Sequence, residues 1–146
     1  MSGDYSFEIA VNKLMSMSTQ YHATTDERLR QRKHRMQALL KRLDHPHLAV
    51  PTIHVAGTNG KGSTAAMITS ILTSAGLRVG LFTSPHLHSF VERIRLGLTP
   101  ITRQQFADLF SCLWPAAEAV ANDPKFPNDS GKLTTLEFLT GMAFHY

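Results

Sequence analysis

The sequence has one cysteine, Cys112, among 146 residues, so no disulfide can close within the chain. A lone thiol without partners fits a reducing, intracellular setting. Because Cys112 sits among Phe110, Leu113 and Trp114, it is expected to be a buried structural thiol. Long apolar runs are also missing. None approaches the ~18 residues needed to cross a bilayer. The start, Met1-Ser2-Gly3-Asp4-Tyr5, lacks the basic and then apolar stretch of a secretory leader. The expectation is a soluble cytoplasmic protein with no membrane partner. Charge is modest, with 18% charged residues and a net +4. That excess is too small to argue for nucleic acid, although it suits anionic small molecules. Zinc is not expected either. His86 and His88 alternate along the chain, and no further Cys or His stands at ligand spacing.

What is present reads as one globular α/β domain of ordinary composition, 42% hydrophobic, with neither repeats nor low-complexity tracts. Phe7, Val11, Leu14 and Met15 predict a short helix over 5–17, followed by a polar loop over 18–27. From Arg28 to Leu43 the apolar set Leu29, Met36, Leu39, Leu40 and Leu43 falls on one helical face. Arg28, Arg30, Arg32, Lys33, Arg35, Lys41 and Arg42 make the rest basic. With no aromatic residues interleaved, this face reads as solvated and not as a nucleic-acid surface. Asp44-His45-Pro46 ends the helix.

Thr52-Ile53-His54-Val55-Ala56 then reads as a buried strand and Ser63 to Ala75 as a helix stopped by Gly76. Arg78 to Thr83 reads as a second strand. Together they predict a βαβ unit and a mostly parallel sheet. Residues 84–99 read as mostly loop. Thr102 with Gln105 forms a capping box that opens a helix carrying Phe106, Leu109, Phe110, Leu113, Ala117 and Val120, kinked or interrupted at Pro115. After a polar loop over 122–132, Thr134 opens a last helix with Leu136, Leu139, Met142 and Ala143 inward.

The chemistry concentrates between the first strand and its helix, in Gly57-Thr58-Asn59-Gly60-Lys61-Gly62-Ser63-Thr64. A polyphosphate needs converging backbone N–H groups, glycines that let the backbone come close, a helix N-terminus, a mobile cation and hydroxyl donors. All of these occur here. The loop is a variant of G-x-x-x-x-G-K-[ST], because the first glycine of that form would fall at Val55 and Gly62 separates Lys61 from Ser63. It does not fit G-x-G-x-x-G, which disfavours a dinucleotide fold.

Ile53 to Ser63, with Ile71-Leu72 and Gly76 following, resembles the signature of folylpolyglutamate synthases and dihydrofolate synthases, members of the Mur ligase superfamily. Two further blocks come in that family's order. These are Gly80-Leu81-Phe82-Thr83-Ser84-Pro85-His86-Leu87, running on to Phe90-Val91-Glu92-Arg93-Ile94, and Thr135-Leu136-Glu137-Phe138-Leu139-Thr140. The resemblance covers roughly residues 28–146. It implies a P-loop NTPase-like fold, with this chain as the N-terminal part of the ATP-binding domain and the C-terminal glutamate-binding domain absent. It also implies an ATP- and Mg²⁺-dependent ligase, a monomer, that adds L-glutamate to dihydropteroate or a folate through an acyl phosphate.

Under that resemblance Lys61 is the catalytic cation, and Gly57 to Thr64 hold the nucleotide. Ser84 and Glu137 ligate Mg²⁺, and His86, Leu87 and Phe90 border the pterin pocket. From the residues alone, Ser84 reads as a turn residue before Pro85, and Glu137 as the close of a capping box on Thr134. Arg93 contacts an anionic substrate or pairs with an acid such as Glu92. The alternative for the whole is a catalytically incomplete nucleotide-binding module.

Overall fold

A computed structural model describes residues 4–17, 26–127 and 130–146. Most of the polar loop expected over 18–27 therefore lies outside the described residues, as do Asn128, Asp129 and the side chain of Arg28. The chain forms two compact units, Met1–Val50 with Ala107–Tyr146, and Pro51–Phe106.

The first unit is helical. Ser6 caps α1 (Phe7–Ser16) by accepting from the Ile9 N–H, and the helix buries Ala10 and Leu14 while Met15 is exposed. α2 (Asp26–Arg42) turns Leu39 and Leu40 inward and leaves Leu29 outside. Asp44 and His45 then take positive φ of 60° and 55°, and Pro46 opens a 3-10 turn, which breaks the helix where the sequence expects. α4 (Arg103–Ala121) contributes Phe110, Leu113, Ala117 and Val120 to the core, and α5 (Thr135–His145) contributes Phe138, Leu139 and Met142.

Phe110 stacks on Trp114 at 5.0 Å and tilts against Phe138 at 5.2 Å, while Tyr5 meets Phe110 edge-on at 5.2 Å. Such ring pairs each add about 0.5–1.5 kcal/mol beyond burial. The buried Thr135 hydroxyl donates to the Leu14 carbonyl at 2.9 Å, tying the start of α5 to α1. α4 runs unbroken through Pro115, contrary to the expected interruption. Pro115 is exposed, so water can serve the carbonyl that loses its amide partner. Cys112 is likewise exposed, with Sγ 3.5 Å from His145 Nε2. Its apolar sequence neighbours occupy other faces of α4, and a helix separates adjacent residues by about 100°.

The second unit carries α3 (Lys61–Ser74) and a three-stranded sheet of β1 (Gly80–Phe82), β2 (Ile94–Leu96) and β3 (Thr99–Pro100). Both pairings are antiparallel, with Leu81 opposite Arg95 and Leu96 opposite Thr99. The parallel βαβ unit expected from the sequence is not formed among the described residues. Residues 51–56 form no strand there, and a segment becomes a strand only when a neighbouring strand supplies the ladder. Ile53 is 62% exposed where a buried strand was expected.

The segment read as loop instead holds a 3-10 turn at Phe90–Arg93 and a hairpin turning at Gly97, φ 59°. The available signal was Ile94 and Leu96 alternating just before a glycine. Buried Leu81, Ile94, Ile101 and Phe106 form this unit's core. Gly76, φ 86°, stops α3 as expected, with the Leu77 N–H donating to the Leu72 carbonyl.

Candidate functional site

Residues 51–56 lead into a bend that holds two glycines. Gly57 has φ 153°, and Gly60, φ 74°, is the N-cap of α3. At Gly60 the left-handed backbone favours glycine, and with no side chain it caps none of the helix's first amides. Lys61, Gly62 and Ser63 therefore begin the helix with N–H groups aimed beyond its end. Lys61 Nζ donates to the carbonyls of Gly57 at 2.7 Å and Thr58 at 3.0 Å, folding the ammonium back over the loop.

Gly57 through Thr64 are all exposed. Gly62 has ordinary φ, and a Cβ built there would meet nothing within 4 Å. The folded chain itself thus does not require glycine at 62, whereas a ligand lying against the backbone does. A helix dipole, free amides and a cation are the groups an anion-binding terminus uses.

β1 leads from α3 to Ser84, which stands before a cis peptide to Pro85. The Thr83 N–H donates to the Arg93 carbonyl at 3.0 Å, so the sheet ladder holds this segment beside the 3-10 turn. Glu92 organises the turn, accepting from the amides of Leu87 at 2.9 Å and of His88 and Ser89 at 2.8 Å. Those amides, Leu87 first, hold its pKa down to about 2 from an ordinary 4.5. Arg93 Nε donates to His86 Nδ1 at 2.8 Å, which puts the imidazole proton of a neutral His86 on Nε2. Burial, then the charge of Arg93, lowers the His86 pKa and favours that neutral form. Phe90 lies 4.4 Å from the His86 ring. Leu87 is 86% exposed.

Because the folded pKa of Glu92 lies below the unfolded one, its stabilisation is complete above about pH 4.5 and fades as pH falls toward 2. Glu92→Gln is expected to mimic the acid state at neutral pH. Hydrogen exchange at the Leu87, His88 and Ser89 amides should accelerate roughly tenfold, with the helical amides of the other unit unchanged.

Ser84 and Glu137 lie in different units, and each is described by its own surroundings. Ser84 is exposed, and its hydroxyl makes no hydrogen bond among the described residues. Glu137 closes the expected capping box, accepting from the Thr134 N–H at 2.8 Å while Thr134 Oγ1 accepts from the Glu137 N–H. No local pattern points to its second partner. Arg35 clasps both carboxylate oxygens, Nε to Oε2 and Nη2 to Oε1, each at 2.9 Å, and Nη1 donates to the Ser130 carbonyl at 3.3 Å.

Arg35 was expected on a solvated face but is buried, and Arg42 pairs with Asp123 at 3.0 Å. Partners so distant in sequence leave no local pattern. A carboxylate offers about four acceptor positions. Three bonds leave one, on Oε1, enough for a monodentate metal contact and no more. A hydroxyl and a carboxylate are each a hard oxygen donor of the kind Mg²⁺ takes. Among the described residues no cluster of three His, Cys, Asp or Glu side chains forms a metal cage, and no helix is long and apolar enough to cross a membrane.

No family model matches the chain. Over 112 residues it is 42% identical to the dihydrofolate synthase/folylpolyglutamate synthase of Bacillus subtilis, an alignment covering 77% of this chain and 25% of that protein. The folylpolyglutamate synthase of Mycobacterium tuberculosis, solved with ADP and AMPPCP, superposes with a TM-score of 0.72 at 37% identity, covering 77% of this chain and 25% of that one. A complex of FPGS with AMPPCP and folate superposes with a TM-score of 0.81 at 32% identity, covering 97% and 32%. The chain shares their fold and spans about a quarter of the length of the curated relatives it matches.

Proposed function

This chain belongs to the folylpolyglutamate synthase and dihydrofolate synthase family, and we propose that it is the N-terminal part of the ATP-binding domain of an ATP-dependent ligase joining L-glutamate to dihydropteroate or a folate. A further domain then supplies the glutamate site. The observation that carries the reading is the loop itself. Gly60 turns the chain into α3, Lys61 stands at its first position, and Gly62 leaves open space where a side chain would block a triphosphate.

The chemistry follows from charge. A carboxylate is a poor acyl donor, and phosphorylation gives it a leaving group. Its attack on the terminal phosphate yields an acyl phosphate, which the glutamate amine displaces with loss of phosphate. The loop amides and Lys61 hold the β- and γ-phosphates and stabilise charge as the terminal group transfers. The Ser84 hydroxyl and the remaining acceptor position of Glu137 are each an oxygen donor of the kind Mg²⁺ takes, and the ion would supply charge that offsets the triphosphate.

Phosphate release by the intact protein, assayed with dihydropteroate or a reduced folate and with or without glutamate, tests this. Release that needs ATP, acceptor and glutamate together is the expected result. ATP binding without turnover under any combination would leave a nucleotide-binding module instead.

A further inference from the structure

Between Leu29 and Arg42, α2 carries six arginines and lysines and no acid. Two of the six are spent within the fold. Arg35 is buried against Glu137, and Arg42 pairs with Asp123 at 3.0 Å. Arg30, Lys33 and Lys41 differ from these. All three are exposed, and none forms an ion pair among the described residues. At 3.6 residues per turn they share about 80° of the helix surface with exposed Gln37, on a stripe about 16 Å long. Arg35 and Leu39 lie on the other side of the helix.

Solvation alone does not account for charge of a single sign. A helix face that serves only water ordinarily mixes acids with bases, because an acid four residues from a lysine supports the helix and like charges oppose it. Gln37 stands four residues after Lys33 and four before Lys41, where a glutamate would pair with both. The face therefore keeps a row of cations that the described acids do not answer. Its complement is a flexible chain of anions.

We propose that Arg30, Lys33 and Lys41 on the outer face of α2 bind the oligoglutamate tail of a folate. The identity of the tail rests on the ligase reading, in which glutamate is the group added. Each link uses one carboxylate of the residue it extends and leaves the other free, so repeated addition makes a polycarboxylate. Glu137, which that reading places at the metal, is clasped from the inner side of the same helix. The stripe thus lies about one helix diameter, ~10 Å, from it. Linked glutamates advance about 3.5 Å or more per residue when extended, so about eight cross that distance and cover the stripe.

The test uses the intact protein and a triple variant, Arg30→Gln with Lys33→Gln and Lys41→Gln. Each change exchanges one good helix former for another at an exposed position, so the variant folds and melts as the wild type does. Titration with octaglutamate peptide at low salt should show binding by the wild type that weakens as salt rises. The triple variant should bind about tenfold more weakly, whereas Arg30→Lys binds as the wild type does, because a point charge suffices. In the ligase assay, the triple variant should raise KM about tenfold for a folate with eight glutamates. KM for ATP and for a folate with one glutamate stays unchanged, a split that a general loss of structure would not produce.

Equal peptide binding by wild type and triple variant overturns the proposal, as does a KM that rises equally for short and long tails. Tighter α2-dependent binding of a single-stranded RNA of the same charge, or of anionic vesicles, overturns it in favour of that partner. Peptide binding needs no turnover. Absence of ligation therefore counts against the ligase reading alone, and the titrations still decide the site.

Discussion

Lys61→Ala in the intact protein lowers kcat/KM for ATP by about 100-fold or more, the loss typical of one preorganised charge partner of a transferring group. The ammonium sits at the first position of α3 and rests on the carbonyls of Gly57 and Thr58. A triphosphate arriving at the helix terminus competes for it with full negative charge, whereas the carbonyls offer only dipoles. Those carbonyl bonds are exposed, so the substitution changes stability by only about 0.5 kcal/mol or less. Lys61→Arg recovers little, because a planar fork does not replace a compact, mobile charge. Gly62→Ala separates ligand from fold in another way. A methyl group there meets nothing in the protein, so melting stays near the wild-type value while ATP affinity falls. Equal ATP kinetics for wild type and Lys61→Ala would rule out the assigned role.

Arg35→Ala destabilises the chain by about 3 kcal/mol, because it leaves a buried carboxylate with only its capping amide. The side chains of Arg35 and Glu137 are 10% and 13% exposed, so solvent screens the pair weakly. The pair joins α2 to α5, and Arg35 also holds the Ser130 carbonyl before the final helix. Removing it therefore loosens the start of α5. Changing both partners, Arg35→Met with Glu137→Leu, removes the uncompensated charge and is expected to recover most of the loss except the cap, worth about 1 kcal/mol. Thermal melts of the two single variants and the double variant form the cycle that checks this. A double variant no more stable than Arg35→Ala would show that the packing of Arg35, not its charge, supports the helix.

Local signals in the sequence were legible and remote ones were not. Helical periodicity located α1, α2, α4 and α5, the glycine stop located α3, and both expected capping boxes closed as their spacing requires. Thr102 with Gln105 exchanges bonds of 2.8 and 3.1 Å, and Thr134 with Glu137 exchanges bonds of 2.8 and 3.3 Å. Gly60 and Gly76 stood where backbone angles demand them.

The pairing of β1 with β2 was missed because three-residue strands carry almost no periodicity. The segment 51–56 has the composition of a buried strand, but composition cannot supply a neighbour for its hydrogen bonds. At the site, the loop was readable because its groups are contiguous. Arg35 was misplaced on a solvated face because its partner is 102 residues away. Glu92 was a named alternative partner for Arg93, and nothing in the sequence showed that three backbone amides would claim its carboxylate.

A crystal structure of the intact protein with AMPPCP tests the central claim most directly. The β- and γ-phosphates should lie on the amides of residues 60–64, with Lys61 Nζ moved off the Gly57 and Thr58 carbonyls onto phosphate oxygen. A nucleotide bound elsewhere, with that ammonium still on the two carbonyls, would contradict it.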